Sequence, residues 1–192
     1  MNIKTNIFFV LCACVIFLSC NGTGEEKASG LAGDTVRTVW SAEKANQWYA
    51  DQPWYFGANS IPGTPINQLE MWQPETFETT IDKELAMAES LGMNIMRVYL
   101  HNLVWQNDKQ GFYDRIDKFL EIANRHGIKI LFTIFDSCWD PFPKAGLQPA
   151  PRPFVHNSGW VQSPGFDMLK DSSQYPILQQ YVQELVKKFA DD

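Results

Sequence analysis

GIKILFTIFDSCWDP, residues 127–141, passes from a buried strand to a surface loop within a few positions. Ile130 to Phe135 are apolar or β-branched with no polar alternation, the pattern of a parallel strand covered on both faces. Asp136 ends the run, and Trp139, Asp140 and Pro141 open a loop that a core has no use for. In α/β folds, polar and aromatic groups just past the carboxyl end of a parallel strand are where ligands and chemistry are placed. The stretch therefore reads as scaffold followed by the rim of a site.

Upstream of it, Ile116, Phe119, Leu120 and Ala123 fall at helical spacing; Asp114 is the expected cap, Arg125 and His126 fill the last turn, and Gly127 is the stop. Ile95 to Leu100 is a second buried strand, interrupted by Arg97 and ended by His101-Asn102. Pro74 is expected to start the preceding helix, with Glu75 and Glu78 in its first turn and Phe77, Ile81, Leu85, Ala88 and Leu91 on one face, up to Gly92. Trp54 to Asn59 is the first good strand, broken at Asn59 to Gly63, and Val36 to Ala50 is a short strand or helix. Downstream, a loop of roughly 35 to 40 residues leads to a third helix, Pro176 to Phe189, with Leu178, Tyr181, Val182, Leu185 and Phe189 inward.

Strand and helix thus alternate three times, with short returns at Gly92-Met93 and Gly127-Ile128 and long excursions from strand to helix. Repeated βα units force a parallel sheet, and long loops collected at one end are how a (β/α)8 barrel builds its site. The doubly wound nucleotide-binding alternative finds no support, since Gly57 to Gly63 lacks the G-x-G-x-x-G spacing. The expected fold class is α/β: the first three βα units of a (β/α)8 TIM barrel, incomplete as given, over residues 36–192.

At 192 residues and 45% hydrophobic content the chain has the length of one domain and enough apolar side chains for a sizeable core. A formal net charge of −6 without a Lys/Arg cluster argues against nucleic acid as partner. Aromatics reach 14%, with 7 Trp; about half of these rings are expected in the core and the rest, beside Pro, Asn and Gly in loops, suggest a stacking surface. Ile7 to Leu18 is an apolar run too short to span a bilayer and right for a signal peptide, residues 1–19. Phe17-Leu18-Ser19-Cys20 resembles the lipobox of bacterial lipoproteins, which implies lipidation of Cys20 and a membrane-anchored, exported protein of a Gram-negative-type bacterium. Residues 20–35, rich in Gly, Glu, Ser and Thr, read as a flexible tether.

Arg97 lies in a strand expected to be dry on both faces, where an unpaired guanidinium costs several kcal/mol, so a carboxylate partner is required. That partner is either a structural acid or a catalytic carboxylate kept ionised by the Arg. Asp136 either braces its own loop or binds a substrate hydroxyl. Trp139 and Trp160 flank a stiff segment holding Pro141, Pro143, Pro149, Pro151 and Pro153. An insertion this long usually has a job, though a loop folded on its own Trp is the plainer alternative. Aromatic faces with Asn, Gln, His and Asp nearby suit sugars, and the residues expected to bind one are Asn59, His101, Asp136, Trp139, His156, Asn157 and Trp160. The 3 His show no metal-ligand spacing, no cofactor is implied, a G-x-S-x-G elbow is absent, and Cys138 reads as a small buried residue.

WYFGANSIPGTPINQLEMWQ, LGMNIMRVYLHNLVW, ILFTIFDSCWDPFP and VHNSGWVQSPG resemble the amino-terminal half of cellulase-like TIM-barrel glycoside hydrolases, related to family five and often called β-xylanase or endoglucanase. The likeness runs from about Trp48 onward, with the G-x-N-x-x-R element ending at Arg97 among its most specific parts. It implies a retaining mechanism on β-linked polysaccharide or oligosaccharide, with one Glu as acid/base, one as nucleophile, and Arg97 supporting the nucleophile. The family's acid/base sits in an Asn-Glu-Pro element, yet this sequence holds no Asn-Glu pair, so both catalytic Glu are expected beyond Asp192, in the missing carboxyl-terminal part of the barrel. Glu70, the one acid in a rim loop, cannot fill two opposed roles. A chain of this kind is expected to be inactive alone. The alternatives are a glycan-binding surface lipoprotein without catalysis and a purely structural lipoprotein.

Overall fold

The structure, a computed structural model, describes residues 39–74 and 80–190. The expected signal peptide, the lipidated Cys20, the tether and the first turn at Glu75 to Glu78 lie outside the described residues. The chain divides into two compact units between Gln52 and Pro53. In the first, α1 (Ala42–Ala50) is capped by Ser41, whose hydroxyl accepts the Lys44 N–H at 3.2 Å, and Trp40 meets Trp48 edge to face at 6.2 Å. The segment left open between strand and helix is therefore helical.

The second unit is mixed α/β around a small parallel sheet. Its elements are β1 (Gly57–Ser60), α2 (Gln68–Met71), α3 (Ile81–Ser90), β2 (Ile95–Tyr99), α4 (Asn102–Asn107), α5 (Lys109–Arg125), β3 (Lys129–Thr133), α6 (Phe166–Lys170) and α7 (Tyr175–Phe189). The sheet order is β1-β2-β3, with Asn59, Arg97 and Leu131 side by side in one row and Ser60, Val98 and Phe132 in the next. Both returns to the sheet end in the same way. Gly92 and Gly127 take φ values of 79° and 65°, and the following residues, Met93 and Ile128, donate back to Ala88 and Ala123 at 3.1 and 3.0 Å. These are left-handed helix stops that consume otherwise orphaned carbonyls. Asn94 then clamps the approach to β1: its side chain accepts the Phe56 N–H and donates to the Trp54 carbonyl, both at 2.8 Å.

The core lies on one face of the sheet. Met96 and Val98 meet Leu85 and Ala88 of α3, Phe112, Ile116, Phe119 and Ile122 of α5, and Tyr181 and Leu185 of α7. Trp105, Tyr113 and Glu184 tie α4, α5 and α7 together, the indole donating to the Tyr113 hydroxyl at 3.0 Å and that hydroxyl to Glu184 at 2.9 Å. Among the described residues no helix is long and apolar enough to cross a membrane.

Three expectations need correcting. β3 is not covered on both faces: the helices pack on the Val98 side, and Leu131 on the other is 54% exposed. The second long helix is capped by Asp108, not Asp114; Asp108 accepts the Gly111 N–H at 3.1 Å, and α4 precedes it directly. Cys138 is exposed, held at φ 75° on a loop tip.

Gly57 shows how closely β1 and β2 approach, since a β-carbon there would lie 1.6 Å from the Ile95 carbonyl oxygen. Gly57→Ala is expected to push β1 off β2 and cost about 1–3 kcal/mol, the usual range for forced overpacking, read from the urea midpoint. An unchanged midpoint would refute that strand pairing.

Candidate functional site: an aromatic corner past the strand ends

β2 and β3 end at Tyr99 and Thr133, and the segments that follow bring several of the expected site residues into one contact chain. The Arg97 guanidinium lies over the Tyr99 ring, 4.9 Å from its centre, and donates to the Tyr99 hydroxyl through Nε at 3.0 Å and through one terminal nitrogen. Tyr99 meets Trp160 edge to face at 5.9 Å, and Trp160 meets Trp139 at 5.0 Å with the planes tilted by 59°. The Trp139 indole N–H donates to Asp136 Oδ2 at 2.6 Å, while Oδ1 accepts the Ser137 N–H at 3.0 Å. Asp136 thus braces its loop and fixes the ring of Trp139. The two tilted indoles, both half-buried, form a corner with polar groups at its edge.

Arg97 departs from expectation. It is exposed, its hydrogen-bond partner is Tyr99 rather than a carboxylate, and it shares the open sheet face with Asn59 and Leu131. Those three line one groove of about 390 Å³, so the guanidinium keeps its water and the argument for a buried ion pair does not apply.

His101 is a second correction. It is 0% exposed and does not reach a rim. Its Nδ1 accepts the Leu103 N–H at 3.2 Å, capping α4, so the proton resides on Nε2, which donates to the Gln162 carbonyl at 3.1 Å. Burial lowers its pKa to about 4, despite the bond to Gln162. The ring is therefore a structural clasp. His156 is exposed, and Asn157, at φ 50°, forms a turn whose carbonyl accepts the Trp160 N–H at 3.0 Å. Neither is joined to the aromatic corner except through the backbone.

The Trp160 segment is held by side chains that sequence reasoning missed. Asn67 Nδ2 donates to the Gly159 carbonyl at 2.7 Å, Gln68 Nε2 to Val161 at 2.6 Å, and His101 to Gln162. The Ser163 hydroxyl donates to Asn102 Oδ1 at 3.0 Å. Asn67, Gln68, His101 and Asn102 are all buried. Glu70 belongs to the same anchorage rather than to a reactive rim: it is buried, and Oε2 accepts the Ile66 N–H at 2.7 Å. On the other side, Asp136 and Ser163 exchange backbone bonds at 2.7 and 2.9 Å, and Asp140 accepts the Gln162 N–H at 2.8 Å. The sequence signal for these clasps was slight, Asn and Gln at 67 and 68 shortly before Leu69, Met71 and Trp72, a pattern shared by ordinary loops.

The histidines predict a pH profile. His101 stays neutral in the fold, while the unfolded chain takes up a proton below 6.5, so stability is full above pH 6.5 and is lost as pH falls toward about 4. The loss approaches about 3 kcal/mol by linkage. His126 acts in a different window. Bonded at Nδ1 to Glu89 and at Nε2 to Asp82, it has a raised pKa, and its contribution is full below pH 6.5 and is lost above it, as pH rises through the raised pKa of the fold. Urea melts of the protein and of His101→Asn, which keeps a capping oxygen, should diverge in slope between pH 6.5 and 5. Parallel profiles would exclude His101 as the source.

Among the described residues no group of three or more His, Cys, Asp or Glu is placed to hold a metal ion. No family model matches the chain, and no curated protein or solved structure does either.

Proposed function

We propose that this chain supplies the carbohydrate-binding side of the site of a retaining glycoside hydrolase acting on β-linked polysaccharide or oligosaccharide. The observation that carries the reading is the contact chain Arg97, Tyr99, Trp160, Trp139 and Asp136, gathered just past the carboxyl ends of two parallel strands. Pyranose rings present an apolar C–H face and a polar hydroxyl edge, and a tilted indole pair rimmed by polar groups answers both. In this reading the three strands are the first βα units of a TIM barrel, and the open row Asn59, Arg97 and Leu131 faces its interior. Arg97, which meets no carboxylate among the described residues, is then available to one supplied by another part of the barrel. Residues 17–20 support export and anchoring through Cys20 at the periplasm or cell surface, with the membrane as second partner.

Catalysis needs two opposed carboxylates, and Glu70 is consumed by backbone anchorage. The chain alone is therefore expected to show no turnover of β-glucans, xylans or mannans, and measurable hydrolysis would overturn this assignment of roles. The same absence favours a second reading, a glycan-binding surface lipoprotein without catalysis. Both require saturable binding at the corner. Trp139→Ala is expected to weaken oligosaccharide binding at least about tenfold by isothermal titration, roughly 1.4 kcal/mol. Undiminished affinity in that variant would sink both readings.

A further inference from the structure

A second pair of rings lies on the same two segments as the aromatic corner. Phe142 and Phe166 meet edge to face at 6.0 Å, yet remain 54% and 45% exposed. The backbone that carries them is tied down on both segments. The Phe142 N–H is fixed by Asp140 Oδ1 at 3.0 Å and the Phe166 N–H by the Pro141 carbonyl at 2.8 Å. Pro143 packs so closely on Gly165 that a β-carbon there would lie 2.8 Å from its ring. Phe142 lines a cavity of about 410 Å³, within the range of small-ligand sites. Leu103, Phe142, Pro143 and Met168 give it apolar walls, and Lys144 and Asp167 give it one charge of each sign. Neither charge forms an ion pair among the described residues.

We infer that the Phe142 cavity is a second sugar subsite, which binds a further unit of the same glycan chain held at Trp139 and Trp160. Its walls suit C–H faces, its rim offers a donor and an acceptor for hydroxyls, and its balanced charge selects a neutral polyhydroxylated occupant. Phe142 follows Trp139 by three positions, so their backbones are at most about 11 Å apart, a span that one short oligosaccharide covers. The inference rests on the proposed function and adds that the protein holds more than one unit of its glycan.

The test is a titration of the full chain with β-1,4-linked gluco- and xylo-oligosaccharides of increasing length, from disaccharide to hexasaccharide. Affinity should rise with length, and Phe142→Ala should leave the disaccharide unaffected while removing about tenfold of the gain from the longer sugars. Lys144→Ala paired with Asp167→Asn should reproduce that flattening, and Trp139→Ala should weaken every length. If Phe142→Ala and the rim variant keep the full length dependence, the cavity is no subsite although the corner reading stands. If no oligosaccharide binds the unaltered chain, the corner reading and this inference fall together.

Discussion

Trp72→Ala is expected to cost about 3–5 kcal/mol, enough to remove most of the stability of a domain this size. The indole is fully buried and stands edge-on against Phe112 at 5.7 Å and Phe119 at 5.6 Å, joining the segment after β1 to the inner face of α5. Its N–H donates to the Tyr99 carbonyl at 2.7 Å, at the end of β2 where the site begins. Alanine leaves a cavity walled by aromatic rings that cannot relax into it, and it strips a buried carbonyl of its donor. Trp72→Phe separates the two effects by filling most of the space without the N–H, and should cost about 1–3 kcal/mol. Denaturant melts followed by fluorescence and by far-ultraviolet dichroism read both variants. A shift of only a few tenths of a kcal/mol in Trp72→Ala would mean that this ring does not join the two segments.

Asn67→Ala is expected to be nearly as severe, by a different route. Oδ1 accepts the Glu70 N–H at 3.0 Å and caps α2, while Nδ2 donates to the Gly159 carbonyl and to Gln148 Oε1 at 2.7 and 3.1 Å. Removing the amide deprives three buried groups of partners at about 1–3 kcal/mol each, and the site is polar enough for water to recover part of it. A loss of about 3 kcal/mol should therefore accompany a weaker near-ultraviolet dichroism signal, because Gly159 adjoins Trp160. Asn67→Asp is the sharper probe. It keeps the capping oxygen but turns a carboxylate oxygen toward two acceptors, and should be at least as damaging as alanine. If Asn67→Asp were neutral, the amide could not be oriented as described.

How much of this was legible in the sequence depends on whether a residue acts through pattern or through a distant partner. Ile116, Phe119 and Ala123, and likewise Leu178, Tyr181 and Leu185, announce helices by spacing, and all six are buried. Gly92 and Gly127 mark the stops of α3 and α5 because few other residues tolerate that backbone. The burial of a second sheet face is not encoded locally: Ile130 to Phe135 reads the same whether or not anything covers Leu131. Short α4 escaped notice because its start is set by His101, whose capping nitrogen is not one of the usual oxygens. Glu70 and His101 misled, and Asn67 and Gln68 passed unremarked, for a common reason. Each looks like a polar loop residue, and only the position of a backbone some sixty to ninety residues later turns it into a buried clasp.

The clasps on residues 159–162 grip main-chain oxygens, which every amino acid provides. Position 160 is therefore free to change its side chain without releasing the segment. Saturation mutagenesis at that codon should yield mostly well-folded protein, and if the proposed function holds, diversity should appear in what is bound rather than in whether the chain survives.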